Sequence, residues 1–237
     1  MEYLMRIASK PLALSLAIAA ISVPVQAEQL TLEEVVVTAQ KRVESLQDVP
    51  ISIVAISGDK IEKSGFADLS QLSPVVPNFN VVQQQISDRV AIRGISSGGN
   101  QGFDQSVGLF SNGVYLARGT QFRSAFLDVG SVEILRGPQA TLFGKNTIAG
   151  AVNITSSKPT SEFEAEIRAS YETEYESVQT SGFVSGPLSD TLSARLAYKV
   201  SDDKGFIENL ARADDEPASE ADNYRLSFLW EPSDNLT

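Results

Sequence analysis

The chain of 237 residues contains neither cysteine nor histidine. Without cysteine it can form no disulfide, no thiolate nucleophile and no cysteine-ligated metal site. Without histidine it lacks a Ser-His triad, an imidazole ligand for zinc or haem, and the commonest general base near neutral pH. These absences disfavour many classes of enzyme, and we expect no catalytic residue, no metal site and no cofactor.

Long apolar runs and excess positive charge are also missing. No stretch of about 18 apolar residues follows residue 27, so the mature chain could cross a bilayer only as strands. The formal net charge of -11, with no basic stripe, disfavours nucleic-acid binding, which requires cations that displace phosphate counterions. A hydrophobic content of 42% is still enough to bury a sizeable core.

Residues 1–27 have the pattern of a cleaved export signal. Arg6 and Lys10 precede an apolar run from Leu12 to Val23, and small residues end the segment at Ala27. The alternative is a membrane anchor, but a run of about 12 residues is short of the roughly 20 that a spanning helix needs. We therefore expect export and cleavage after Ala27.

Residues 28–43 contain a short segment that favours extended backbone. Three consecutive valines and a threonine are β-branched, and β-branched residues prefer strands. Such a peptide near a free end can add a strand to the exposed sheet edge of a partner protein. The alternative is an ordinary first strand of the domain that follows. The segment consists of Glu33, Glu34, Val35, Val36, Val37, Thr38 and Ala39.

Residues 44–160 predict an α+β domain. An alternating strand around Val49–Ile56 leads to a short helix that Ser57 can cap and Gly65 can end. Asp68 and Gln71 resemble a capping box for a second short helix, which Pro74 and Pro77 stop. The polar segment 96–102 predicts a loop. Further strands are expected at 90–93, 107–110, 114–116, 132–135 and 151–155.

The glycine-rich segment from Gly137 to Thr147 does not fit a phosphate-binding loop. That motif requires glycine where Gln139 stands and Ser or Thr where Asn146 stands. We instead predict a helix of little more than one turn, with Pro138 at its first position and Gly144 at its end.

From Glu162 onward the sequence alternates regularly between apolar and charged residues. Phe163, Ile167 and Tyr171 share one face, and the intervening Glu and Arg residues share the other. Residues 161–237 therefore predict about four antiparallel strands of a transmembrane β-barrel. A soluble antiparallel sheet would alternate in the same way, but short turns at 186–190 and 231–235 and a long acidic connection at 201–221 favour the barrel. Because closure takes about eight strands, we expect an incomplete barrel in a fragment or truncated product.

These motifs together resemble TonB-dependent outer-membrane receptors. The segment from Glu33 to Ala39 is similar to the TonB box, and the middle domain resembles the plug over its whole length. Small departures are Asn112, where Asp is usual, and Ala140, where Gly is common. The matching plug residues are Arg93, Gly94, Gly113, Tyr115, Glu133, Arg136, Gly137, Pro138, Gly144 and Gly150.

The resemblance implies a plug that blocks a barrel lumen until TonB, the energy-transducing protein of the inner membrane, pulls on the TonB box. We expect the plug-motif residues to be structural. Arg93 and Arg136 each precede a glycine at a strand end, so we predict a buried or lumen-facing guanidinium paired with a carboxylate. The glycines are expected at tight turns or close approaches.

The implied function is active uptake of a scarce solute from outside the cell. The implied partners are TonB, the lipid of the outer membrane and an extracellular small-molecule ligand, with a ferric siderophore as the leading choice. Vitamin B12, haem, saccharides and aromatic compounds stay open. Rival classes are a passive porin or surface-binding protein, and a secreted hydrolase; for the last, the acidic pairs Asp202-Asp203 and Asp214-Asp215 lie in polar segments typical of solvated surface.

Overall fold

The computed structural model describes residues 36–37, 44–47, 49–84, 88–98, 104–173, 176–205, 207–208, 215–216 and 219–233. The predicted export signal lies outside these ranges, as do five residues of the predicted TonB box, Glu33, Glu34, Val35, Thr38 and Ala39. Most of the predicted loop at 96–102 lies outside them as well.

The centre of the N-terminal domain is a five-stranded mixed sheet with the strand order β3-β9-β10-β7-β8. Parallel pairing occurs between β10 and β7, and the other three pairings are antiparallel. All five strands that the sequence predicted here are present, and the long strand β9 carries the motif Val132 to Arg136. The strands are β3 (Ser52–Ser57), β7 (Val107–Ser111), β8 (Val114–Leu116), β9 (Val129–Arg136) and β10 (Gly150–Ser156).

The first helix, α1 (Gly58–Lys63), begins and ends where the sequence predicted. The side chain of Ser57 accepts a hydrogen bond from the backbone N–H of Lys60. After Ser64, Gly65 adopts a φ of 69°, and the N–H of Phe66 bonds the carbonyl of Ile61. Glycine enters this left-handed conformation without the steric cost of a Cβ, so it ends the helix.

The second predicted helix is a single 3₁₀ turn, Ser70–Leu72, and not an α-helix. Asp68 Oδ1 accepts from the N–H of Ser70 at 2.7 Å, while the Gln71 side chain accepts from the N–H of Ala67 at 2.6 Å. These two side chains accept hydrogen bonds from the backbone N–H groups at the start of the turn, which have no partner within it. Because Pro74 follows directly after Ser73, the turn cannot lengthen into a helix.

A second, three-stranded sheet has the order β4-β5-β6. Its last connection is the two-residue turn Arg93-Gly94, in which both residues have positive φ, 53° and 80°. Asn112-Gly113 makes the same kind of turn between β7 and β8, with φ of 49° and 80°. Such turns match the twist of a hairpin and favour glycine at the second position. The strands are β4 (Phe79–Val82), β5 (Arg89–Ile92) and β6 (Ile95–Ser96).

The hydrophobic core of the domain lies between the five-stranded sheet, α1 and the three-stranded sheet. Its members include Ile61, Leu72, Ile92, Phe122 and Ile134, each at most 1% exposed. A smaller cluster covers the opposite face of the five-stranded sheet, around Phe110, Leu135 and Phe143. Both clusters lie entirely within residues 51–154, so the domain supplies its own core.

The segment after β9 forms a one-turn helix, α2 (Ala140–Phe143). Gly144 ends it with a φ of 76°, as predicted. Pro138 was expected at the first helical position, but Gln139 is the N-cap and Pro138 precedes it. Neither α2 nor any other helix in the described ranges is long and apolar enough to cross a membrane.

The C-terminal sheet is antiparallel with the order β11-β12-β13-β16. The turn predicted at 186–190 differs, since β12 continues through Pro187 and only Asp190 and Thr191 separate it from β13. A register shift beside Pro187 accommodates the residue that has no N–H to donate. The strands are β11 (Glu164–Glu172), β12 (Ser177–Ser189), β13 (Leu192–Asp203) and β16 (Ser219–Trp230).

Four very short strands complete the description. In the connection between β13 and β16, β14 (Ile207–Glu208) pairs with β15 (Asp215–Glu216). Near the start of the described chain, β1 (Val36–Val37) pairs antiparallel with β2 (Glu44–Ser45). The connection predicted at 201–221 is shorter than expected, because β13 extends to Asp203 and β16 begins at Ser219, and it contains this small hairpin.

Candidate functional site

The C-terminal sheet has its apolar side chains on the outside and its charged side chains against the N-terminal domain. Ile167, Leu226 and Phe228 are 74%, 59% and 60% exposed, whereas Arg195 and Lys199 are only 6% and 8% exposed. This distribution is the inverse of a soluble sheet, in which the buried face is apolar. It agrees with the division that the sequence predicted between a lipid-like face and a charged face.

An ion pair joins the two parts of the molecule at Asp128 and Arg195. The guanidinium of Arg195 donates from Nε to Oδ2 at 2.8 Å and from Nη2 to Oδ1 at 2.6 Å. The two side chains are 9% and 7% exposed. A bidentate pair in a buried place is strongly oriented, so it fixes the start of β9 on strand β13.

Further contacts hold this pair in place. The Arg195 guanidinium lies 3.6 Å from the centroid of the Phe183 ring, a stacking arrangement that favours a cation. Arg225 Nη1 donates to the backbone carbonyl of Asp128 at 3.3 Å, and the N–H of Ser157 donates to the same carbonyl. Asp128 has a φ of 46°, a conformation that these contacts sustain.

A second charged contact joins helix α1 to strand β11. Arg168 donates to the carboxylates of both Glu62 and Glu166, and it shares an ion pair with each. Burial raises the pKa of the Glu62 carboxyl, and the nearby carboxylates of Glu166 and Asp128 raise it further, whereas Arg168 lowers it. The net direction is upward, so Glu62 holds its proton more tightly than a free glutamate.

A cleft of about 540 Å³ lies between the domain and the C-terminal sheet. Glu62, Phe126 and Asp128 line it from the domain, and Arg168, Gln179 and Lys199 are among the residues that line it from the sheet. The side chain of Lys199 makes no hydrogen bond to another residue that the structure describes. The sheet side of the cleft combines charged side chains, such as Arg168 and Lys199, with the aromatic rings of Phe183 and Tyr198. Charged pairs join the two parts of the molecule.

The predicted carboxylate partners of Arg93 and Arg136 are not found among the described residues. Arg93 is exposed at its turn, and Arg136 Nη1 donates to the carbonyl of Pro77 at 3.4 Å. The Nε of Arg136 is buried and has no hydrogen-bond partner in the described ranges. In the structure the Arg93 guanidinium lies beside Gly137, the residue that follows Arg136. The pattern of a strand end followed by glycine did not indicate what either arginine bonds.

The remaining plug-motif residues have structural positions. Glu133 is buried and accepts from Asn153 Nδ2 at 3.1 Å, and the Tyr115 hydroxyl accepts from Asn146 Nδ2 at 2.7 Å. Gly150 lies so close to β9 that a Cβ there would be 2.2 Å from the carbonyl oxygen of Leu135. Only glycine fits at that position, which is the close approach expected of the motif glycines.

Two residues of the predicted TonB box lie in the described ranges, and both pair within the chain. Val36 is opposite Ser45 and Val37 opposite Glu44, and Val37 is buried. This pairing is the alternative that the sequence left open, a first strand of the following domain. It leaves the coupling role of the peptide as a prediction.

Sequence reasoning missed Asp128 and Glu62 as contact residues, and also Asp88, whose carboxylate pairs with Arg123. Arg195 and Lys199 had been assigned correctly to the charged face by strand alternation, because a period of two separates the faces. No comparable signal marks Asp128, which lies in an irregular segment 67 residues from its partner.

Ion pairs hold the α+β domain on the charged face of a sheet whose other face is apolar. This arrangement defines a class of protein, a plug domain with part of its barrel wall. Residues 45–151 match the family model of the TonB-dependent receptor plug domain. This match covers less than half of the chain and shows that the N-terminal domain is a TonB-dependent receptor plug domain.

The relatives are receptors and transporters. The pesticin receptor of Yersinia pestis is 32% identical over 139 residues, which are 57% of this chain and 20% of that protein. The vitamin B12 transporter BtuB of Vibrio vulnificus is 34% identical over 160 residues, 63% of this chain and 25% of that protein. The chain therefore spans a fifth to a quarter of the length of these two curated relatives.

Among solved structures, the ferric yersiniabactin uptake receptor FyuA of Yersinia pestis superimposes with a TM-score of 0.70 at 28% identity. The match covers 78% of this chain and 29% of that one. Since 78% is more than the plug alone occupies, the C-terminal sheet contributes to the match. The incomplete barrel and antiparallel strands expected from the sequence are confirmed.

Proposed function

We propose that the protein takes part in TonB-dependent uptake of a scarce solute across the outer membrane, with the plug gating the lumen of a barrel. The observation that carries the proposal is the inverted C-terminal sheet, which exposes Ile167 and Leu226 and buries Arg195 against the plug. An apolar outer face suits lipid, and a charged inner face suits a lumen that holds a polar domain.

Lipid is the partner proposed for the outer face. Cross-strand neighbours on that face form continuous apolar rows, for example Val184, Leu196 and Leu226, which are opposite one another in adjacent strands. Phe163, Phe228 and Trp230 lie near the end of the sheet with the Asp190-Thr191 turn, while Tyr171 and Tyr224 lie nearer the other end. Aromatic residues at both ends of an apolar band are typical of membrane barrels.

A charge placed in the middle of this band tests the membrane assignment. In the full-length receptor, Leu196→Arg should reduce the stability of the barrel by about 2–4 kcal/mol if residue 196 lies near the bilayer midplane. Asp190→Arg, in the turn, is the matched control and should have little effect. Equal assembly and heat resistance of the two variants in outer-membrane preparations would exclude lipid at this face.

The proposed solute is a ferric siderophore. The support is the similarity to a ferric yersiniabactin uptake receptor and to a ferrichrome transporter of Escherichia coli, while the similarity to a vitamin B12 transporter keeps that solute open. Uptake of iron-labelled ferric yersiniabactin, iron-labelled ferrichrome and labelled vitamin B12 should be measured in cells expressing the full-length receptor, with and without TonB. Accumulation of an iron complex only when TonB is present is expected; accumulation of vitamin B12 alone would overturn the siderophore assignment.

A passive porin is the second candidate and is distinguishable by conductance. The plug buries Arg195 and Lys199 of the inner face, so a lumen lined by these strands is occupied. The full-length receptor in a planar bilayer should therefore show no steady ion conductance. Large stable channels with the plug in place would favour the porin.

A further inference from the structure

Lys199 is a buried lysine on the charged face of strand β13. The residue is only 8% exposed, and its side chain lines the cleft between the plug and the C-terminal sheet. Neither a side-chain hydrogen bond nor an ion pair joins it to another residue that the structure describes. An ammonium group withdrawn from bulk water is costly unless acceptors are close to it. The cleft beside Lys199 is therefore the place where an acceptor from outside the chain would bind.

The carboxylates around Lys199 are engaged with other groups. Asp68, Glu62 and Asp203 attract its charge, but each of the three has another partner. Glu62 pairs with Arg168. Asp68 accepts from the backbone of the 3₁₀ turn, and Asp203 accepts from a serine hydroxyl at 3.3 Å. Within the described ranges, no carboxylate contacts the Lys199 ammonium directly.

The two arginines on the same face of the sheet differ from Lys199. Arg195 has its bidentate pair with Asp128, and Arg168 is shared between two carboxylates. Of the cations that line the cleft in the described part of the chain, Lys199 alone has no ion pair. It leaves one ammonium group available to a ligand.

Lys199 belongs to a row of hydrogen-bond donors that crosses the sheet. Cβ atoms of directly opposite residues in neighbouring strands are about 4.5–5.5 Å apart, so the Ser181 hydroxyl and the Lys199 ammonium can donate to the same ligand. Both residues line the cleft. Two neighbouring donors, one of them charged, suit an anion that has two oxygens. The row consists of Arg168, Ser181, Lys199 and Asn223, each opposite the next in successive strands.

The plug side of the cleft adds an apolar surface. Ile61, Phe66 and Phe126 line it there. Sites for small molecules typically combine such a lining with a few polar groups that fix the orientation of the ligand. The cleft volume of about 540 Å³ also lies within the range of about 300–1,000 Å³ that these sites have. A ligand that fits both sides therefore has an anionic group and an apolar body.

We propose that the cleft between plug and sheet binds a small organic carboxylate, whose anionic group contacts Lys199 and Ser181 and whose apolar body lies against Phe66 and Phe126. A carboxylate carries one charge and matches one unpaired ammonium group. A phosphate would bring a second charge, and Arg168 is already shared between two carboxylates. The site does not depend on which solute is taken up.

Benzoate is a suitable probe because it joins one carboxylate to an apolar ring. Equilibrium dialysis of labelled benzoate against the purified full-length receptor should show saturable binding. Lys199→Met keeps a long side chain but removes the charge, so the Kd should rise roughly tenfold or more, whereas Ser181→Ala should raise it only a few-fold. Lys204→Met is the matched control, because Lys204 is an exposed lysine that pairs with Asp202, and it should leave the Kd unchanged.

Three competitors examine the two parts of the ligand. Benzamide has the ring without the charge, and acetate has the charge without the ring, so each should displace labelled benzoate only at roughly tenfold higher concentration or more. Inorganic phosphate should displace it no better than acetate. Displacement by benzamide as effective as by unlabelled benzoate would overturn charge recognition. Equally effective displacement by phosphate would overturn the assignment to an organic carboxylate.

Thermal unfolding separates loss of the site from loss of the fold. Without benzoate, Lys199→Met should be at least as stable as the wild type, because it removes a buried ammonium that has no partner. Benzoate should raise the Tm of the wild type and leave that of Lys199→Met unchanged, since only a ligand that binds the folded state stabilises it. Absence of saturable benzoate binding to the wild type, or an equal Kd in Lys199→Met, would overturn the site. None of these experiments measures uptake, so their outcome is independent of the proposed function.

Discussion

Asp128 of the plug and Arg195 of strand β13 form a buried bidentate ion pair, with Nη2 to Oδ1 at 2.6 Å and Nε to Oδ2 at 2.8 Å. The pair lies where the strap, which is residues 117–128 between β8 and β9, enters strand β9. It links a loop residue in a left-handed conformation to a residue in the regular ladder of the barrel wall. The plug is therefore attached to the first strands of the wall by a defined contact.

Removing one member of this pair should weaken the attachment strongly. Arg195→Gln leaves the Asp128 carboxylate buried without its cation, at a cost of about 3–5 kcal/mol. Limited proteolysis of the full-length receptor should show faster cleavage of the strap in this variant. Asp128→Asn/Arg195→Gln should cost less than the single change, because no charge is left unpaired. Equal cleavage rates in all variants would show that the pair does not hold the plug.

An exposed pair in the same plug provides the comparison. Lys63 and Asp59 are four residues apart on α1, and their side chains are 72% and 63% exposed. Exposed pairs contribute about 0–1 kcal/mol because solvent and salt screen them. Lys63→Gln should therefore leave strap cleavage unchanged, and a large effect would show that cleavage reports global stability and not the attachment.

The raised pKa of Glu62 predicts a pH dependence with a definite sign. A folded-state pKa above the unfolded reference of 4.5 means that the folded state binds the proton more tightly. The stability contribution of Glu62 is therefore fully present below pH 4.5 and is lost as pH rises through the folded pKa. As pH rises from 4.5 through the folded pKa, the Tm of the wild type should fall relative to that of Glu62→Gln. At higher pH the difference between the two Tm values should stay constant. A wild-type Tm that rises relative to that of the variant over the same pH interval would contradict the raised pKa of Glu62.

Close packing at Gly58 predicts an unusual cost for a small substitution. A Cβ there would lie 1.8 Å from the carbonyl oxygen of Val129, so α1 must move away from β9. We expect Gly58→Ala to destabilise the isolated plug, residues 44–160, by about 1–3 kcal/mol, although alanine favours helix over glycine. Lys60→Ala, exposed on the same helix, should stay within about 0.5 kcal/mol. Urea unfolding measures both.

That experiment also examines whether the plug folds alone. Its two apolar clusters lie within residues 51–154, so the isolated domain should unfold in one cooperative transition. A featureless spectrum at neutral pH would contradict this. Residues 161–237, whose apolar face and strand edges would meet water, should aggregate when expressed alone.

The regular parts of the fold could be predicted because their signals are local. A period of two assigned Leu196 and Arg195 to opposite faces, and Ser57 with Gly65 delimited α1, since a cap and a left-handed glycine act within one turn. Pro187 misled the prediction of a turn, because proline usually interrupts a ladder. Here a register shift absorbs it.

The charged contacts within the plug and between plug and wall could not be predicted in the same way. Asp128 and Arg195 are 67 residues apart and Arg123 and Asp88 are 35 apart, and neither pair belongs to a repeating pattern. Which carboxylate faces which guanidinium depends on how the strap crosses the sheet. For Arg93 and Arg136, the expectation of a carboxylate partner was wrong within the described ranges for the same reason.

Val36–Val37 of the predicted TonB box pair with Glu44–Ser45. The backbone edge of this peptide therefore has two possible partners. The edge can pair within the chain, or it can add a strand to TonB. Proline at position 36 removes the backbone donor and restricts the preceding residue, so it would damage either pairing. Proline at position 45 would damage only the pairing within the chain.

In the full-length receptor, Val36→Pro should abolish most accumulation of a labelled solute while its surface binding persists, because a peptide that couples to TonB is not expected to contact the solute. Val36→Ala keeps the N–H and should be milder, since main-chain bonds carry most of a strand-addition interface. Ser45→Pro is the matched control and should transport at least as well as the wild type. Loss of transport in Ser45→Pro alone would assign the function to the pairing within the chain. Unchanged accumulation after deletion of residues 33–39 would contradict any coupling role for the peptide.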